Sequence, residues 1–105
     1  MERPNLKYIN SLSQGDKEFE IKIITIIKKE FQKDKEIYFN NIANKNYVLA
    51  AENVHKLRNK ISILGLEKGY KLAEKFETDL RNNNLFLRED FQKIIQVMSN
   101  YLNKF

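Results

Sequence analysis

The chain has 105 residues, 42% of them apolar and 31% charged, with a net charge of +5. That length holds one domain with one modest core. The absence of cysteine removes disulfides and thiolate metal sites, and one histidine among scattered acids makes no transition-metal cluster.

Three glycines and one proline are too few breakers for a β-sandwich. They fit long helices joined by short connections. No apolar run approaches the ~20 residues of a bilayer-spanning helix. The leading MERPNLKY lacks the apolar stretch of a signal peptide. A soluble cytoplasmic protein without membrane contact is expected. Its 14 acidic residues are mixed among 19 basic ones with no basic block, so the charge reads as a solvated surface and nucleic acid is disfavoured as a partner.

In chain order, Pro4 to Leu12 carries Leu6, Tyr8, Ile9 and Leu12 and predicts a short helix or ordered arm with one apolar side. Ser13-Gln14-Gly15-Asp16 is a break, with Ser13 or Asp16 as the cap of the next helix. That helix runs from Asp16 to about Asn44. Its stripe is Phe19, Ile23, Ile26, Ile27 and Phe31, widened by Ile21 and Ile24 and resumed by Ile37, Tyr38 and Ile42. The polar Lys33-Asp34-Lys35-Glu36 between them marks a candidate kink. Asn44-Lys45-Asn46 is the next break, with Asn46 as N-cap.

The following helix holds His55, the only histidine. Tyr47, Ala50, Val54, Leu57, Ile61 and Leu64 step by three and four, as in the seam of a bundle. Gly65 suits a left-handed stop, and Leu66 then folds back on the helix end. Glu67 to about Asn82 forms another helix with the stripe Tyr70, Ala73, Phe76 and Leu80. Asn82-Asn83-Asn84 turns the chain. The last helix, Arg88 to about Asn103, points Phe91, Ile94, Ile95, Met98, Tyr101, Leu102 and Phe105 inward. The expected fold is all-α: one domain over 1–105, with an arm or short extra N-terminal helix at 1–13 and an antiparallel up-down four-helix bundle at 16–104.

At about 100° per residue, His55 points roughly 130° away from the mean seam direction, which places it at the surface or at the edge of the bundle. Ala51 and Asn59 are one turn away and Ser62 two turns away. Ala51 and Ser62 are small, so another protein has room to approach. Arg58, three residues on, brings positive charge beside the ring, and Lys56 and Lys60 add more. Neutral imidazole is a good nucleophile near pH 7, its ordinary pKa being about 6.5. A phosphoryl group on it would bring roughly two negative charges for Arg58 to offset. No glycine-rich phosphate loop or acidic magnesium site is present to activate a nucleotide, so a donor must bring that machinery. The competing reading is ordinary: a lone exposed histidine on a helix is most often only surface, and the seam is core rather than a cofactor site.

His55-Lys56-Leu57-Arg58 followed by Leu64-Gly65 resembles the histidine-containing phosphotransfer (HPt) domains of multistep phosphorelays. Their motif runs His, any residue, Leu, Lys, Gly, with a Leu-Gly pair six residues further along. The resemblance extends to Ala50-Ala51 before the histidine and to Phe76-Glu77 late in the next helix, and covers about residues 16–104. It implies that His55 accepts a phosphoryl group from a receiver-domain aspartyl-phosphate and passes it to another receiver. Arg58 would stabilise that group, and Ala51, Lys56, Asn59, Lys60 and Ser62 would meet the partner. The chain would be a relay intermediate rather than an enzyme, a monomer with no cofactor of its own. Magnesium would sit on the response-regulator receiver, and a hybrid histidine kinase would be a further partner. Arg58 stands where the family has Lys, and Asn59 where it has Gly. The second departure motivates an alternative, a receiver-binding adaptor that no longer transfers phosphate. The net charge motivates a third, a basic nucleic-acid-binding bundle.

Overall fold

The seam residues of each helix decide how the chain packs. In the computed structural model, which describes residues 2–105, five α-helices follow one another: α1 (Lys7–Ser13), α2 (Lys17–Ala43), α3 (Tyr47–Ile63), α4 (Glu67–Arg81) and α5 (Arg88–Leu102). There is no strand among the described residues. None of their helices is long and apolar enough to cross a membrane. α3 packs along both α2 and α4, α5 meets α4 and α2, and α1 lies against α2.

The expected stripe of α2 is corrected in detail. Ile24, Ile27, Phe31 and Tyr38 are buried, but Phe19, Ile21, Ile26 and Ile37 are exposed, and Ile23 and Ile42 are half-buried. The buried line is Ile24, Ile27, Phe31, Asp34, Tyr38 and Asn41, again stepping by three and four. Polar residues occupy two positions of this seam, so a search for apolar spacing alone drifts to the neighbouring line. For the same reason Lys33–Glu36 does not interrupt the helix: Asp34 is a seam residue, and no glycine or proline breaks the ladder. Asp16 caps α2 as expected, its Oδ1 accepting from the Phe19 amide at 3.1 Å.

α3 follows its expected seam. Ala50, Val54, Leu57, Ile61 and Leu64 are fully buried and Tyr47 is half-buried. Asn46 holds the N-cap position, but its side chain makes no capping bond. The C-terminal stop is a Schellman turn: the Leu66 amide donates to Ile61 O at 3.1 Å and the Gly65 amide to Ser62 O at 3.0 Å. Gly65 has φ +84°, which favours glycine, and a Cβ there would lie 2.5 Å from Asn5 Nδ2, so the Asn5 side chain would have to shift.

That arm is the less expected part. α1 begins at Lys7 rather than Pro4. Before it, Asn5 donates its amide to Leu64 O at 2.8 Å, and Glu2 accepts from the Lys68 and Gly69 amides at 2.8 and 2.9 Å. The N-cap residue of α4 is Leu66, which has no capping group; Glu2 satisfies these orphan donors from a distance and complements the helix dipole. α1 itself buries Ile9 and Ser13, with Leu6 half-buried, whereas Tyr8 and Leu12 face solvent.

The aromatic core joins α2, α4 and α5. The Phe91 ring centroid lies 5.2 Å from that of Tyr38 and 5.1 Å from that of Phe76. Burial raises the Tyr38 pKa well above its ordinary value, and the hydroxyl stays protonated to donate to Gln92 Oε1 at 3.2 Å. Ala73, Leu80, Ile95, Met98 and Leu102 complete this part of the core. Ile94 and Tyr101 are only half-buried, and Phe105, past the end of α5, is exposed. Asn83 turns the α4–α5 connection with φ +60°.

Candidate functional site

With its seam buried between α2 and α4, α3 presents His55 outward, its side chain 50% exposed. α4 supplies what faces it. Glu74, Glu77 and Arg81 are spaced by three and four residues, so they share the side of α4 next to α3. Glu77 Oε1 lies 3.2 Å from His55 Nδ1. A carboxylate only accepts, so this contact puts the ring proton on Nδ1 and leaves the lone pair on Nε2.

The same Glu77 Oε1 lies 3.4 Å from Arg58 Nη1, and Glu77 Oε2 lies 3.5 Å from Arg81 Nη2. The Glu77 side chain is only 14% exposed. Cations on both oxygens therefore hold it in place while it orients the imidazole. Arg58, 19% exposed, also reaches Glu74 Oε2 at 3.5 Å. Its guanidinium carbon stands 5.5 Å from the Tyr70 ring centroid, a cation–π arrangement.

The residues expected around His55 divide. Lys56, Asn59 and Ser62 are exposed. Asn59 and Ser62 also line a cleft of about 800 Å³, whose other lining residues include Tyr8 of α1 and Tyr70 of α4. Ala51 is instead fully buried. At about 100° per residue it falls toward the α4 side of the helix, and its small size serves helix packing rather than an open face. Lys60 is turned toward α2, its Nζ 2.9 Å from Glu30 and 4.0 Å from Asp34, so it does not face a partner beside the ring. Arg58 is next to the ring as expected, but two carboxylates already engage it.

Glu77 is the residue of this candidate site that helical position alone misses, because it lies on another helix. The only sequence signal was Phe76-Glu77 as part of the HPt resemblance. Glu74 and Arg81 had no signal beyond their spacing from Glu77. No group of three or more His, Cys, Asp or Glu side chains arranged to hold a metal occurs among the described residues. What the site offers is a solvent-facing imidazole of fixed tautomer, backed by a carboxylate and two guanidinium groups. Comparisons with family models, curated proteins and solved structures found no match to this chain.

Proposed function

We propose that the chain is a cytoplasmic histidine phosphotransfer protein of a multistep phosphorelay, in which α2–α5 form an antiparallel up-down four-helix bundle and α1 is the extra N-terminal helix. The observation that carries this reading is the His55–Glu77 contact, with Nδ1 held by a carboxylate on a half-exposed imidazole. The HPt resemblance around His55 supports it independently.

In the proposed reaction the Nε2 lone pair attacks the phosphorus of an aspartyl-phosphate on a receiver domain. The Nε2–P bond forms, the P–O bond to the aspartate breaks, and its electron pair leaves on that carboxylate. The ring gains positive charge, which Glu77 offsets through the Nδ1 proton. The reverse step delivers the group to a second receiver. Magnesium and the acidic cluster that holds it belong to the receiver. Lys56, Asn59 and Ser62 meet the partner, and Arg58 stabilises the phosphoryl group.

The test is incubation with a phosphorylated receiver domain, followed by a search for acid-labile, alkali-stable label. Wild type should label and His55→Gln should not; equal labelling would remove His55 as the acceptor. A second reading, an adaptor that binds receivers without transfer, is favoured by the exposed Asn59 side chain four residues after His55. It predicts receiver binding with no label.

A further inference from the structure

We propose that Glu74 is a positioning residue that competes for Arg58, holding its guanidinium on a carboxylate until a phosphoryl group arrives at His55. This rests on the phosphoacceptor reading of His55. Arg58 Nη1 is shared between Glu74 Oε2 at 3.5 Å and Glu77 Oε1 at 3.4 Å. The second of these oxygens is the one that faces His55 Nδ1. The guanidinium is therefore engaged through the carboxylate oxygen that faces Nδ1, whereas group transfer takes place at Nε2. Arg58 has to give up a carboxylate contact to pair with the phosphoryl group.

The two carboxylates that hold it differ. Glu77 has His55 and Arg81 as further partners and is largely covered. Glu74 pairs with no other cation among the described residues, and its side chain is 55% exposed. Its release leaves a carboxylate that water solvates at once. Arg58 Nε is buried without a hydrogen-bond partner, and both ion pairs of the guanidinium run through Nη1. A phosphoryl group offers two charges and three oxygens in a geometry that suits a guanidinium fork, and outcompetes one exposed carboxylate. Glu74 thereby sets how readily Arg58 changes partner.

The consequence is read in the lifetime of the phosphohistidine. In hydrolysis, water attacks phosphorus, the Nε2–P bond breaks, its electron pair returns to Nε2, and phosphate leaves as H2PO4⁻. A guanidinium paired with the phosphoryl group stabilises the phosphohistidine before that break, so freeing Arg58 lengthens the lifetime. The full chain is phosphorylated with phosphoramidate, the reagent is removed, and decay is followed by phosphorus NMR. Glu74→Gln should extend the half-life by about two- to fivefold, the scale of an exposed ion pair. In an Arg58→Gln background the same substitution should change nothing, because Glu74 acts through Arg58. Circular dichroism checks that the four proteins fold alike.

Equal half-lives for wild type and Glu74→Gln would overturn the proposal. So would an equal gain in both backgrounds, which would assign the effect to the field of the carboxylate alone. Phosphoramidate needs no receiver. A wild type that labels with it but not from phosphorylated receivers overturns the phosphotransfer reading, and the lifetime cycle separates that failure from failure of the Glu74 assignment.

Discussion

The imidazole of His55 and the carboxylate of Glu77 meet across the α3–α4 interface at 3.2 Å, 22 residues apart in sequence. On the phosphotransfer proposal, the nucleophilicity of Nε2 would be set from α4. Removing the carboxylate in Glu77→Ala should release the Nδ1 proton to both ring nitrogens. Nitrogen NMR of the imidazole should then change from one tautomer to a mixture. Transfer from a receiver should slow by roughly tenfold, the scale of a hydrogen bond to a charged group. An unchanged tautomer would mean that Glu77 is a bystander.

Leu57 lies between His55 and Arg58 in sequence but points the opposite way, fully buried in the seam. Leu57→Ala should cost about 2–5 kcal/mol of stability through lost transfer energy and the cavity left behind. Urea unfolding measures it, and a loss well under 2 kcal/mol would show a site that collapses around the smaller side chain.

Asn41 and Asn53 form a buried side-chain bond at 2.6 Å between α2 and α3. Asn53→Leu strands the Asn41 amide and should cost about 1–3 kcal/mol. Adding Asn41→Leu should restore much of that loss, because two apolar partners leave nothing unpaired. Strictly additive losses in a denaturation cycle would argue that the two residues act separately.

Glu2→Ala should uncap α4. The expected cost is about 0.5–2 kcal/mol, as for loss of an N-cap, and it should be local. Hydrogen exchange at the Lys68 and Gly69 amides should accelerate while the Phe76 amide remains protected. Uniform acceleration along α4 would mean that the arm supports the whole fold.

The five helical segments, the α3 seam and the Gly65 stop were legible because each depends on local periodicity or backbone conformation. The seam of α2 was legible only in part: Asp34 and Asn41 are polar, and the reason they sit inside is a partner on α3 that spacing within α2 does not reveal. At the site, exposure of His55 followed from its angle to the seam. The burial of Ala51 and the diversion of Lys60 did not, since both depend on which neighbouring helix covers each flank. Glu2 capping a helix that begins at Glu67 is wholly tertiary, and no local pattern announces it.

Two of the polar contacts between α2 and α3 have a geometric consequence. Asn41 meets Asn53, and one heptad earlier on α2 Asp34 approaches Lys60, one heptad later on α3. A single antiparallel alignment satisfies both. Sliding α3 by one helical turn would set Asn41 against Leu57 and Asp34 against Leu64, two buried polar groups facing hydrocarbon with no partner. Apolar seams alone tolerate such a shift, because Ile and Leu interchange at little cost. The polar pairs thus key the axial position of α3, and the height at which α3 presents His55 is fixed on the opposite flank from Glu77 and Arg58.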